Sequence, residues 1–359
     1  DNSRLGFLLS LKAIVQLAAN PLIAVVSQRQ GFALPLLVGT VNLILCALLF
    51  ACGRSYEILS SARALQGITS ACFTIAGRLG VVASTYSEET KRSEALGRAL
   101  GGGAVGVLLG YPIAGFLYQL TGKSVPFLLI AFLAVLLLGK NEFIEEDICF
   151  SAENCPSRKP VEPLQQYVHH RHLVLGVVVG AIFLSTSVMS LLEPCLPFWL
   201  METMKPERWQ LGAVFIPDSC GYLLTTHFLG GLAYRVGRWK VAMLSMIILG
   251  ISCTLVPLAS SIIHLTGPHF CIGAGIGAVD ASLVPLLATL AENRQRLDKI
   301  VDLSPSYGKT FALGQTAVSL AYCLGPMLGG MLVESLGFPR LMLCMGVLNL
   351  VFAPLVLIL

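Results

Sequence analysis

Eleven times along its 359 residues the chain presents an apolar run of the length, about 20 residues, that carries a helix across a bilayer. The runs cover 5–26, 33–52, 58–84, 99–118, 125–139, 173–200, 209–233, 239–260, 265–290, 308–333 and 338–359, and the short fifth is expected to continue past Lys140. In hydrocarbon every backbone N–H and C=O needs a partner inside the protein, so such runs span as helices. Only 12% of residues are charged, against about 25% in soluble domains. The expectation is an all-α, polytopic membrane protein.

Charge sets the orientation. One alternate set of loops carries fifteen of the 24 Lys and Arg, from Arg29 and Lys91 to Lys299 and Lys309. The other holds Arg54, Lys123, Lys205, Arg208 and Arg340. The positive-inside rule makes the first set cytosolic and puts the N-terminus on the exoplasmic or luminal side. The chain opens on Asp1 and stops in an apolar run, so it reads as a fragment with one helix expected upstream. The longest polar gap divides an N-terminal bundle, 1–139, from a C-terminal bundle, 173–359, with a cytosolic linker at 140–172. Most of the eleven cysteines fall in spans, where they act as small apolar residues. Cys149, Cys155, His169, His170 and His172 lack ligand spacing, so no metal and no disulfide is assigned.

One carboxylate stands out. Asp280 lies well inside the run from Leu265 to Leu290, where a charge costs at least ~2.5–3.5 kcal/mol on insertion scales. Gly273, Gly275 and Gly277 before it and Pro285 after it loosen the helix. Such a residue faces a wet cavity or a partner, and the functional reading is a proton and cation site; the alternative is a carboxylate tied off by a neighbouring helix. The other intramembrane acids are Glu193 and Asp218, and the bases are Lys12, Arg63 and Arg78.

The halves repeat. Gly110-Tyr111-Pro112 with Gly115 and Gly122 echoes Gly325-Pro326 with Gly329, Gly330 and Gly337 at an offset of 215 residues, and Gln28 to Gly31 echoes Tyr234 to Gly237 at 206. Such repeats mark secondary transporters. Gly230-x-Leu232-Ala233-Tyr234-Arg235-x-Gly237-Arg238 resembles the loop motif of the major facilitator superfamily, with Tyr234 replacing its acid. Gly106, Gly110, Tyr111, Pro112 and Gly115 resemble its antiporter motif, whose glycines are expected to allow close helix contact. A tighter resemblance, to the vesicular monoamine transporters, covers nearly the whole chain. It rests on Leu11-Lys12-Ala13, Asn20-Pro21, Arg63 with Gln66-Gly67, Leu192-Glu193-Pro194, Trp199 with Met201-Glu202-Thr203-Met204, Trp209-Gln210-Leu211-Gly212, and Val279-Asp280. Against that family the chain lacks the first helix and the large luminal loop.

The resemblance implies a major facilitator fold of two pseudo-symmetric bundles, with a ligand between them. It implies Glu193 as partner of the substrate ammonium, aromatic walls at Phe215, Tyr222 and Tyr322, and Phe311 where the family has tyrosine. Asp280 would couple protons, while Lys12, Gln315, Arg63 and Asn20 would form a charge and gating network. Gln315 stands where the family has an aspartate, so Lys12 loses an ion-pair partner, and Asp218 offers a compensating charge. Thr186 replaces an asparagine, and Lys205 replaces the luminal cysteine. Trp199, at a span end, is either a site aromatic or an interfacial anchor, and His227 has no assigned role.

The Gly273-x-Gly275-x-Gly277 stretch follows no strand, no nucleotide loop appears, and no hydrolase constellation is present. The expected function is therefore not enzymatic and needs no cofactor. It is a proton-coupled antiporter driven by the proton gradient, moving cytosolic monoamines (serotonin, dopamine, noradrenaline and histamine) into synaptic or secretory vesicles. Its partners are the amine, protons and the lipid bilayer, with no nucleic acid. The alternatives are an exporter of other organic cations, such as polyamines, acetylcholine or drugs, and a ligand-binding relative that does not transport.

Overall fold

The computed structural model describes the main chain of residues 2–81, 89–153, 171–297 and 307–359. Side chains are described for these except 2–6, 28, 78–81, 89, 111–112, 119, 140–153, 171, 208–209, 291–297 and 307–311. Every regular element among the described residues is helical. In order they are α1 (Asn2–Gln30), α2 (Ala33–Cys52), α3 (Tyr56–Ala71, continued by a π-helical stretch, Cys72–Val81), α4 (Glu89–Thr121), α5 (Ser124–Glu153) and α6 (Arg171–Thr203). Then follow α7 (Arg208–Ala213), α8 (Ile216–Val236), α9 (Arg238–Leu255), α10 (Ile262–Leu297), α11 (Tyr307–Leu336) and α12 (Phe338–Phe352). Eight described helices are long and apolar enough to cross a membrane, and Ser124–Gly139 in α5 is a shorter apolar segment.

Each apolar run falls on a helix, with two changes in detail. The run at 58–84 is α-helical only to Ala71 and then widens to π geometry, with 82–88 outside the described residues. The run at 209–233 is two helices, because the chain breaks at Val214 and Phe215. Pro217 explains the restart: its fixed φ and missing N–H suit the first turn of α8. α5 does pass Lys140 and runs to Glu153, inside the segment read as linker, while 154–170, with Cys155, His169 and His170, lies outside the described residues.

The repeat has a backbone consequence. Among the described residues, four glycines have positive φ: Gly31 (79°), Gly122 (84°), Gly237 (114°) and Gly337 (79°). They are the two echoed pairs, and each follows the last residue of a helix (α1, α4, α8 and α11), where a side chain would be strained. Gly237→Ala is expected to cost about 1–3 kcal/mol, the price of a sparsely populated backbone region. Gly106→Ala, in α4 with nothing within 4 Å of an added Cβ, should gain about 0.5–1 kcal/mol in helix propensity. Thermal unfolding of the two variants in one detergent checks the opposite signs.

The described residues form two compact units. The first comprises Asp1–Arg92, Ile113–Gln165 and Leu287–Ser319. In it α1 and α2 pack on α3, and α2 packs on α5. Gly67 brings α3 onto α1, since a Cβ there would meet the Lys12 carbonyl. Asn42 ties α2 to α3, its Nδ2 donating to the Leu65 carbonyl at 2.6 Å and to Thr69 Oγ1 at 2.9 Å. The second comprises Ser93–Pro112, Gln166–Leu286 and Leu320–Leu359. Its core gathers Leu192, Leu196 and Leu200 of α6, Leu249 and Cys253 of α9, Leu265, Ile272 and Ile276 of α10, and Phe338, Leu341 and Met345 of α12. Outward faces stay apolar, as at Phe132 (59% exposed) and Val351 (69%), which suits hydrocarbon rather than water.

The antiporter-motif glycines differ from expectation. A Cβ at Gly106, Gly110 or Gly115 meets nothing within 4 Å, because α4 there turns an open face outward through Val107, Leu109 and Phe116. The echoed segment divides: Gly325, the counterpart of Gly110, lies against Ser190 of α6, whereas Gly330, the counterpart of Gly115, also has nothing within 4 Å of an added Cβ.

Candidate functional site

The second unit assembles the predicted acid and its aromatic partner along the seam between α8 and α10. The two helices run in the same direction there, and glycines let them close. Added Cβ atoms at Gly277 and Gly273 would meet Thr225 Oγ1 and the Asp218 carbonyl, and one at Gly221 would meet the Phe270 carbonyl. Gly275 turns to α9, with Leu249 Cβ 3.1 Å from an added Cβ. The glycines thus serve packing, and α10 continues as one helix through Pro268 and Pro285.

At this closeness Tyr222 reaches the carboxylate. Its hydroxyl donates to Asp280 Oδ2 at 2.8 Å, and both residues are half-buried. A hydrogen bond to a charged group contributes about 1.5–3 kcal/mol, and it holds the carboxylate toward one side of the seam. Tyr222→Phe should therefore weaken any transport that uses Asp280 by about tenfold or more. The protein should still fold, and initial uptake rates checked against protein amount test this.

Glu193 lies on α6 next to Pro194, in a helix that also contains Pro197. It is exposed within the chain and in electrostatic reach of Asp218. Phe215 caps α8, packs on the core of this unit and meets the His269 ring edge-on at 5.6 Å. Tyr322 is half-buried on α11. Phe311 is the fifth residue of the same helix, and its side chain lies outside the described residues. Trp199 is a core residue rather than an interfacial anchor, 9% exposed and stacked on Phe338 at 4.8 Å. Thr186 is buried on α6, and Lys205 takes a left-handed φ of 47° just after that helix.

The first unit holds the other predicted residues. Asn20 is fully buried on α1, and its Nδ2 donates to Ser319 Oγ of α11 at 3.2 Å. Gln315 sits one turn before Ser319 and is half-buried. Lys12 is half-buried on α1. Arg63 donates from Nη1 to Gln66 Oε1 at 2.9 Å and lies over the Phe50 ring at 5.7 Å. The side chain of Arg78 lies outside the described residues.

Two arrangements had no forerunner in the sequence reading. His269 is fully buried; a histidine inside an apolar run, one turn before Gly273, was the available signal. The second is at the loop motif in the second unit. A Cβ at Gly230 would lie 2.7 Å from the Ser93 carbonyl of α4, and Gly231 faces Glu94. Arg238 lies over the Tyr234 ring at 5.4 Å and donates to Ser93 Oγ at 3.3 Å, so Tyr234 offers a ring face where the motif has an acid. A cavity of about 490 Å³ opens there, lined by Glu94, Arg98, His227 and Arg235 among others, which gives His227 its setting.

No group of three or more metal-ligating side chains occurs among the described residues.

Comparison with known proteins agrees with this architecture. Residues 1–297 and 178–359 match the Major Facilitator Superfamily. The chain is 38% identical to the synaptic vesicular amine transporter of Bos taurus over 355 residues, which is 99% of this chain and 66% of that protein. It is 37% identical to the chromaffin granule amine transporter of Rattus norvegicus, with 99% and 65% covered. It is 33% identical to the vesicular acetylcholine transporter of Torpedo torpedo, with 99% and 67% covered. The chain thus spans about two thirds of the length of these relatives. Among solved structures, the human organic anion transporter MFSD10 (TETRAN) superposes with a TM-score of 0.73 at 14% identity, covering 98% of this chain and 83% of that one, a likeness of fold. These relatives are transporters, and with its spans, its repeat and its glycine-closed seams the chain is a multi-pass membrane protein that belongs to the major facilitator superfamily.

Proposed function

We propose that the chain is the greater part of a proton-coupled antiporter that moves cytosolic monoamines into vesicles. The observation that carries this is the Tyr222–Asp280 hydrogen bond, 2.8 Å long, inside a helix seam. A carboxylate at membrane depth that keeps one hydroxyl partner can take up and release a proton at little structural cost. Glu193 supplies a carboxylate for an ammonium, and Phe215, Tyr222 and Tyr322 supply ring faces for an aromatic amine and its charge. The relatives named for vesicular amines, at 37–38% identity, support the choice of substrate class and of the vesicle membrane.

In the cycle we infer, amine binds at Glu193 while Asp280 is ionised. Protons from the acidic lumen reach Asp280, remove its negative charge and weaken the hold on the cation. Return of the protonated form releases protons to the cytosol. Uptake of radiolabelled serotonin and dopamine into acidified vesicles holding the full-length protein tests this. Accumulation that collapses with a protonophore supports the proposal, and accumulation indifferent to the protonophore overturns it.

A further inference from the structure

Two titratable side chains in the α8–α10 seam have no part in that cycle. His269 is 0% exposed, and neither ring nitrogen has a hydrogen-bond partner. Asp218 is 7% exposed, and its Oδ1 has none. They share one stretch of the seam. Phe215, three residues before Asp218, touches the His269 ring. Gly273, four residues after His269, lies against Asp218, whose Oδ1 would be 2.7 Å from a Cβ there. Because the helices run in the same direction, ring and carboxylate stand about one helical turn, ~5.4 Å, apart along the seam.

A neutral imidazole presents one N–H donor and one bare nitrogen, and burying both unpaired is unfavourable, as is burying a carboxylate without a cation. One proton answers two of these needs: the bare nitrogen becomes a donor, and the carboxylate gains a cation. We propose that His269 and Asp218 form a second proton-binding site. A proton from water adds to the bare nitrogen of His269, and the imidazolium ring turns to donate to Asp218. Loss of the proton returns the pair to the parted arrangement seen here. No bond other than the new N–H is made, and the charge of the unit rises by one.

The groups around the pair are compatible with an added positive charge. Glu193 on α6 is in electrostatic reach of Asp218, and Asp280 on α10 lies further along the seam with Tyr222 of α8. The other titratable side chains of the adjoining core are Cys195 of α6 and Cys253 of α9, and α12 presents Phe338, Leu341, Met342 and Met345, none of which titrates. Tyr322 lies on α11. The site rests on the seam alone; its use in antiport, where an amine at Glu193 would help expel the proton, rests on the proposed function.

The test uses the full-length protein in liposomes with isotope-labelled histidine. His169, His170, His172, His227 and His264, the other histidines of this sequence, are replaced together with any that the full-length protein carries outside it, which leaves His269 as the sole imidazole signal. Acidification is expected to convert that signal from neutral imidazole to imidazolium. An adjacent opposite charge moves such a titration by about 1–3 pH units, so Asp218→Asn should raise the proton concentration needed by about tenfold or more. A His269 signal that stays neutral throughout, or one that titrates identically with Asp218→Asn, overturns the proposal. The serotonin uptake assay on the same preparation separates the two readings: titration without uptake leaves the site standing and removes the antiport, and uptake with a silent His269 does the reverse.

Discussion

Replacement of Asp280 by asparagine is expected to abolish proton-driven accumulation of amine while leaving a folded, inserted protein. Asparagine keeps a carbonyl oxygen where Asp280 Oδ2 accepts the Tyr222 hydroxyl at 2.8 Å, so the α8–α10 seam retains its polar link. What disappears is the capacity to bind and release a proton. Each proton carried down a gradient of one pH unit is worth about 1.4 kcal/mol, or about tenfold in amine accumulated. With Asp280→Asn, accumulation should fall to the level that wild type shows with a protonophore. Binding of a labelled amine should persist, because Glu193 and the aromatic residues are untouched. A variant that still concentrates amine in a protonophore-sensitive way contradicts the assignment of Asp280.

The largest structural effect is expected at Gly273. Any side chain there runs into the main-chain carbonyl of Asp218, and backbone cannot swing aside as a flexible side chain can. Overpacking a filled site costs about 1–3 kcal/mol when neighbours adjust, and more where they are backbone. Gly273→Val should therefore prise α8 from α10, break the Tyr222–Asp280 bond and leave little monodisperse protein on size-exclusion chromatography. Gly102→Val is the control, since nothing lies within 4 Å of a Cβ at that position. Equal recovery of the two variants would show that the seam is looser than described.

The spans were legible because the bilayer imposes them: about 20 apolar residues per helix leave little freedom. The turns were legible too, since the echoed glycines Gly31, Gly122, Gly237 and Gly337 are the described glycines with positive φ. What stayed hidden is which face of each helix meets which neighbour. A membrane helix is apolar all round, so it offers no stripe that marks its buried side. Hence Gly110 and Gly325, alike in their repeats, proved unlike in contact. Tyr222 and Asp280, 58 residues apart, were each singled out, but their hydrogen bond follows only from the close crossing of α8 and α10. His269 was overlooked because its neighbours in sequence are unremarkable; its meaning comes from Phe215 and Asp218 on the facing helix. The break at Val214 and Phe215 was signalled by Pro217, yet the apolar run continued through it and masked the signal.

The most direct test of proton–amine exchange is to watch the protons. Full-length protein is reconstituted in liposomes with an acidic interior and a trapped pH dye, and serotonin is added outside. Antiport through Asp280 predicts that serotonin makes the interior more alkaline in step with amine entry, and that Asp280→Asn abolishes the signal. Amine entry without proton exit, or a proton signal unchanged by Asp280→Asn, would contradict it.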